Sequence, residues 1–458
     1  MAPHLFWLKY FSQLPLYFII LFLSSLVHWF LFRKYIIGIL DPLFLLVFGF
    51  VFNLSTLVFV FFVTDGPGNT LHILLAMHVF CYAGFYVFAP KTIKIRSMLS
   101  GKSHDPKRPK LNFCFFLLFT GALFFLFATC IEYSIAGIPL FRTTSRQGVF
   151  SDTGLGVITR FEDIGFIFIS ILIVRLILLQ KLCNAKWKFV CMALLTLIFI
   201  TSVLSGSKGA FVSFVSIGYL FYVINYLHLH NRMPKLLTAR NIVIAMLLVS
   251  SAIVAIIMHP ASGNVFNDVT TSKSMLGILG FFYRLVNFGD IYVYSFVDDA
   301  LNSIPSSGGL ISLFSGILST FRIVSPDDIP VHLGYDLALK ALPGLDVVSG
   351  PNANFNVFGF HYFGATFGLL FSFLVGLFVG WCRYILLASV PAILYDNKAS
   401  LSTLVFVFGL IGAGLPIDPP YSISRLISFI IVGLLVFMTS YIVYYGTIHH
   451  NRFSKSSS

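Results

Sequence analysis

Charge is what this chain has least of. Only 10% of its 458 residues are Asp, Glu, Lys or Arg, against roughly a quarter in soluble domains, so an ordinary water-exposed surface is excluded. Acids are the scarcer sign, 17 against 30 Lys and Arg. Cysteine is sparse as well: Cys81, Cys114, Cys130, Cys183, Cys191 and Cys382 all lie within or beside apolar runs. No disulfide framework is implied, and no Cys and His spacing forms a zinc site. The first 32 residues lack the basic start and small-residue cleavage site of a secretory signal, so the run beginning near residue 12 is expected to be retained as a membrane helix. The basic and aromatic pattern of a nucleic-acid module is also missing, which leaves the formal charge of +13 to another cause.

Apolar residues make up 58% of the chain and its mean hydropathy is +0.92. Runs near 12–32, 43–63, 72–89, 111–131, 164–180, 188–204, 210–228, 241–259, 360–380, 400–416 and 426–446 each approach the roughly 20 residues a bilayer needs. The expected fold is all-α: a single integral membrane domain over 1–458, with about eleven transmembrane helices and a large, partly helical outer loop over 260–356 acting as a lid. Basic residues fix its orientation. Arg33 and Lys34, the cluster from Lys91 to Lys110, then Lys181, Lys186 and Lys188, then Arg232, Lys235 and Arg240, and finally Arg452 and Lys455 alternate onto one face. Most acids fall on the other. By the positive-inside rule the amino terminus is outside and the carboxyl terminus inside, and the excess positive charge is a topology signal.

The polar interruptions on the outer face carry the candidate chemistry. EYSIAGIPLFRTTSRQGVFSDTGLGVITRFED, from Glu132 to Asp163, holds Arg142, Arg146 and Arg160 on a glycine-punctuated segment. Arginine presents a planar fork of donors that matches phosphate or carboxylate, so this segment is a candidate anion site. The bland alternative is contact with lipid headgroups. SGSKGA adds Lys208 on a tight turn; it is not a P-loop, because Gly209 stands where Ser or Thr is required. The long outer loop adds Arg284 and Arg322 within apolar stretches, where an unpaired charge is unfavourable. Asp290, six residues after Arg284, is either its partner or a functional carboxylate. GLPIDPPYSISR brings Asp418 and Arg425 to the start of the last span, with an ordinary ion pair between them as the plain reading. Asp290, Asp418 and Glu162 are the expected local compensators of the arginines. Asp298 with Asp299, and Asp327 with Asp328, are adjacent pairs without the alternating arrangement of a nucleotide-sugar metal site, so helix capping is the role expected of them. His361 opens the span after the lid; it is an interfacial histidine or a base.

The order of these elements resembles that of the Wzy-type polymerases of bacterial surface polysaccharides, the O-antigen polymerases, and especially the polymerase of enterobacterial common antigen. FRTTSRQGVFSDTGLGVITRF resembles the family's outer segment, with Arg142 and Arg160 at its arginines. SGSKGA resembles a short turn in which Lys208 stands where arginine is usual. FFYRLVNFGD resembles the lid segment at Arg284, YSISRLISFIIVG the last outer turn at Arg425, and SGPNANFNVFGFHYFGATFG the return of the lid to the membrane. The resemblance implies a glycosyltransferase of the bacterial inner membrane working at its periplasmic face. It would transfer a growing glycan from undecaprenyl pyrophosphate to a new lipid-linked repeat unit, with no cofactor and no metal. Lipid-linked oligosaccharides and membrane lipids are the partners implied, with a chain-length regulator protein as a further one. The arginines would bind the pyrophosphate, and Asp290, Asp418 or His361 would accept the acceptor's proton. An O-antigen ligase would present the same outer arginines and lid. A flippase for the lipid-linked unit is the reading of another class, and it calls for internal repeats and charges at mid-membrane depth.

Overall fold

The structure is a computed structural model. It describes residues 10, 12–38, 40–64, 68–91, 113–138, 156–178, 185–204, 208–230, 234, 289–296, 300–320, 323–325, 328–341, 351–395 and 399–456. Every regular element among them is a helix. In chain order these are α1 (Leu14–Phe32), α2 (Pro42–Thr64), α3 (Gly68–Phe88), α4 (Phe113–Ala136), α5 (Gly156–Leu178), α6 (Ala185–Leu204) and α7 (Lys208–His230). After them come the short helices α8 (Asp290–Phe296), α9 (Ala300–Ser303), α10 (Gly309–Thr320) and α11 (Leu333–Ala341). Three more close the chain: α12 (Phe355–Tyr395), α13 (Ala399–Gly412) and α14 (Pro419–Ser456).

Seven of the described helices are long and apolar enough to cross a membrane. All the apolar runs of the sequence fall on helices except that near 241–259, which lies outside the described residues. The helix containing the 360–380 run is longer than the run itself, because it starts at Phe355 and continues to Tyr395. Gly364 breaks it with φ +69, a left-handed conformation that a side chain would strain, so the helix is kinked there.

Helix packing explains several of the small residues. Gly368, Ser372, Gly376 and Gly380 recur every fourth position on α12, giving one flank of the helix no bulk. α12 lies along α3, where a Cβ on Gly376 would overlap the Cys81 carbonyl oxygen and one on Gly380 would stand 2.5 Å from that of Phe85. Gly84 of α3 repeats the fit against the Phe373 carbonyl. Backbones approach this closely in membrane bundles only through such small-residue stripes. A second tight pair is α4 with α5, where Gly121 faces Phe168 and Gly165 faces Phe125.

Two polar features pin the ends of the bundle. Gly137, with φ +75, terminates α4 as its N–H bonds the Tyr133 carbonyl at 3.1 Å. Between α1 and α2, Asp41 is fully buried and accepts N–H bonds from Ile37 and Leu43 at 2.8 and 2.9 Å. Arg383 of α12 reaches it with both ends of its guanidinium, Nη1 lying 2.6 Å from Oδ1. A bidentate, capped ion pair therefore ties the α1–α2 connection to α12.

Candidate functional site

The site grows from the start of α14. Pro419 and Pro420 occupy its first turn, where missing N–H groups leave nothing unsatisfied. Asp418 caps the helix: its Oδ1 accepts the Tyr421 N–H at 3.1 Å, and its carbonyl accepts that of Ser422 at 2.9 Å. One turn on, Tyr421, Ser424 and Arg425 share a face by their spacing of three and four residues. The N-terminal part of α5 meets them, where Arg160 and Asp163, three apart, also share a face.

The contacts converge on the Tyr421 ring. The Arg160 guanidinium stands 5.0 Å from its centroid and that of Arg425 5.6 Å, both at cation–π distance. Arg160 donates from Nη2 to Ser424 Oγ at 3.1 Å. Asp163 accepts the Tyr421 hydroxyl at 3.3 Å and lies 3.7 Å from Arg425 Nε. Among the described residues, two guanidiniums are thus held around one ring with Asp163 as the carboxylate in contact with it. The Nη groups of Arg425 and the remaining donors of Arg160 have no partner among the described residues. Helix α10 runs over this place closely enough that a Cβ on Gly316 would meet Ser424 Oγ at 2.8 Å.

A second constellation shares the same helix start. His332, just before α11, places Nε2 3.3 and 3.1 Å from the two carboxylate oxygens of Asp418. The histidine side chain is 35% exposed and the aspartate 10%. Burial works to lower the imidazole pKa, but the hydrogen bond and charge of Asp418 outweigh it, and the net shift is upward from 6.5. Bonding Nε2 to a carboxylate makes it the protonated nitrogen, which leaves Nδ1 as the lone-pair nitrogen. Nδ1 has no partner among the described residues.

The residues singled out in the sequence distribute as follows. Arg160 and Arg425 come together, and Asp418 lies on the same helix start. Asp418 faces His332 instead of forming an ion pair with Arg425; the capping geometry turns it toward α11, and among the described residues the carboxylate paired with Arg425 is Asp163. Glu162, expected as a compensator, is buried at 8% exposure, one position and about 100° around the helix from Asp163. His361 directs Nε2 to the Pro305 carbonyl at 3.3 Å and packs edge-on against Tyr362. Lys208 opens α7, and its side chain is outside what the structure describes. Arg142, Arg146, Arg284, Arg322, Asp298, Asp299 and Asp327 lie outside the described residues, as does any pairing of Asp290 with Arg284. Asp163, His332, Tyr421 and Ser424 are the site residues that the sequence reading missed.

Asp290 opens α8, which is too short to cross a membrane and packs against α2 and α11. Burial pushes its carboxyl well above the usual carboxylate range, opposed by hydrogen bonds from the backbone N–H of Ile291 and its own. The folded chain therefore holds a proton that the unfolded chain releases above about pH 4. Stability from this group is full below that value and falls as pH rises through the window above it. Asp290→Asn is expected to raise the melting temperature at pH 8 in detergent and to flatten its decline between pH 5 and pH 8. Parallel melting curves for the two proteins across that range would remove the buried neutral carboxyl from the account.

Comparison with known proteins returned no matching family model, no matching characterised protein and no matching solved structure.

Proposed function

We propose that this chain is a membrane glycosyltransferase of the repeat-unit polymerase type, acting on glycans carried by a lipid pyrophosphate. The observation that carries this reading is the pair Arg160 and Arg425, oriented around the Tyr421 ring beside Asp163, with guanidinium donors that have no partner among the described residues. A pyrophosphate leaving group develops negative charge as its bond to the sugar breaks, and fixed forks of donors stabilise that charge without reorganising. The site lies at the ends of apolar helices, where a lipid carrier would present its headgroup while its tail stays in the bilayer.

In this reading about eleven helices span the bacterial inner membrane, with the amino terminus and the site on the periplasmic side. Helices α8 to α11 belong to the lid over the site. The close passage of α10 over Ser424 supports that role, as does the exposed apolar surface of α10 at Leu310 and Ile311, suited to lie in the headgroup region. Undecaprenyl pyrophosphate-linked oligosaccharides are the substrates, and a chain-length regulator is a partner of the proposed assembly. Arg142, Arg146, Arg284, Arg322 and Lys208 are further candidates for the same anion.

A ligase that moves finished polymer onto a lipid core would use the same anion site. Gel profiles of surface polysaccharide from a deletion strain separate the two. Loss of a polymerase is expected to leave core carrying one repeat unit; core carrying none would assign the ligase reaction, and an unchanged profile would remove both. A flippase is disfavoured by the gathering of Arg160, Arg425, Asp163, Asp418 and His332 at helix ends, away from mid-membrane depth.

A further inference from the structure

Glycosyl transfer needs more than a stabilised leaving group, since the acceptor hydroxyl must lose its proton as it attacks. We propose that His332 is the catalytic base of this transfer and that Asp418 is its positioning residue. The inference rests on the polymerase reading and adds the acceptor half of the site.

Geometry separates His332 from the other titratable groups nearby. His361 has Nε2 engaged by the Pro305 carbonyl, and Asp290 is buried at the head of α8 with its protonated carboxyl bonded to the backbone of that helix. His332 has the arrangement a base requires: one ring nitrogen held by a carboxylate and the other without a partner among the described residues, on a side chain that is partly exposed. Asp418 caps the helix that carries Tyr421 and Arg425, so the base and the anion clamp are fixed to one rigid element. Seven residues separate Asp418 from Arg425, about 10 Å along the axis, enough to seat a sugar between base and phosphate. Among the described residues, the titratable groups on elements packed around His332 are Asp418, Asp336 and Lys340 of α11, and the protonated Asp290 of α8.

The step balances without a co-reactant. A bond forms between the acceptor oxygen and the anomeric carbon of the donor. The bond from that carbon to the phosphate oxygen breaks, and its electron pair leaves with the lipid pyrophosphate toward Arg160 and Arg425. The acceptor proton passes to His332 Nδ1 and from there to water.

The plain alternative is that His332 only starts α11. That role is carried by its backbone, since its carbonyl accepts the Tyr335 and Asp336 N–H groups at 2.9 and 3.0 Å. Glutamine at this position keeps that backbone and can still donate to Asp418, but it has no basic nitrogen.

The test uses the full-length protein in nanodiscs with two readouts. One is binding of undecaprenyl pyrophosphate, and the other is polymer formation from lipid-linked repeat units extracted from a host deleted for the protein. His332→Gln is expected to bind the lipid pyrophosphate within about twofold of wild type and to lose on the order of 10²–10⁴-fold in polymer formation. Asp418→Asn is expected to retain slow polymer formation with its rising pH–rate limb moved to lower pH, because the imidazole loses the charge that raises its pKa. Full-rate polymer from His332→Gln, or an unmoved limb in Asp418→Asn, overturns the base assignment. Loss of lipid pyrophosphate binding in His332→Gln also overturns it, in favour of a structural role. Failure of the wild-type protein to bind undecaprenyl pyrophosphate overturns instead the reading on which the assignment rests.

Discussion

Arg425→Lys is expected to abolish long polymer while leaving the protein in the membrane at normal abundance. Lysine keeps the charge, and if Arg425 served only as a contact for lipid headgroups a point charge would suffice. The geometry asks more of this residue. Its guanidinium lies at cation–π distance from the Tyr421 ring and its Nε beside Asp163, so the Nη donors point in a direction set by two neighbours. An ammonium has neither the plane to stack nor a second donor in fixed relation to the first. Removing one preorganised donor from an oxyanion-type site lowers rates on the order of 10²- to 10³-fold, and a comparable loss is expected here. Arg160→Lys is expected to behave alike, since Nη2 would lose Ser424. The measurement is polymer length and amount on gels, at matched membrane abundance, with alanine variants as controls for charge. Wild-type polymer from both lysine variants would defeat the anion-clamp assignment and leave the fold untouched.

The second large effect is on stability, at Asp41 and Arg383. Arg383→Met is expected to destabilise by about 3–5 kcal/mol, because it leaves a buried carboxylate without its counter-charge. Adding Asp41→Asn to that variant is expected to recover most of the loss. An asparagine still accepts the Leu43 N–H that starts α2, and no charge then remains to be compensated. Thermal unfolding in detergent reads both variants. The ion pair would prove inessential if the single variant melted with wild type, and the compensation argument would fail if the double variant melted no higher than the single one.

Much of the helical frame was legible because each element is a long apolar run, and such runs are specified by composition without regard to partners. The kink at Gly364 was less so: a glycine within an apolar run is also an ordinary packing residue, as Gly376 is on the same helix. In the site, Arg160 and Arg425 were found because a charge beside a span stands out. Asp163 left a readable trace, its three-residue spacing from Arg160, but adjacent Glu162 is as close in sequence, and only the folded contacts place Asp163 beside Arg425 and Tyr421. His332 left none. It sits just ahead of a short helix whose apolar positions, Leu333, Leu337 and Ala338, mark a buried face and not a site, and its partner Asp418 lies 86 residues away. Only folding joins them, and the same holds for the turning of Asp418 away from Arg425.

The Asp41–Arg383 pair also sets a schedule for the growing chain. The two residues are 342 positions apart, and at roughly 5–20 residues per second the arginine emerges about 20 to 70 s after the aspartate. Through that interval α1, α2 and α3 are already made, while the glycine stripe that α3 fits and the cation that Asp41 requires have yet to be translated. The early helices must therefore wait, and the bundle can lock only when α12 arrives. A ribosome stalled before α12 would leave a fragment in which Asp41 lacks its counter-charge and the face of α3 that α12 covers stays open.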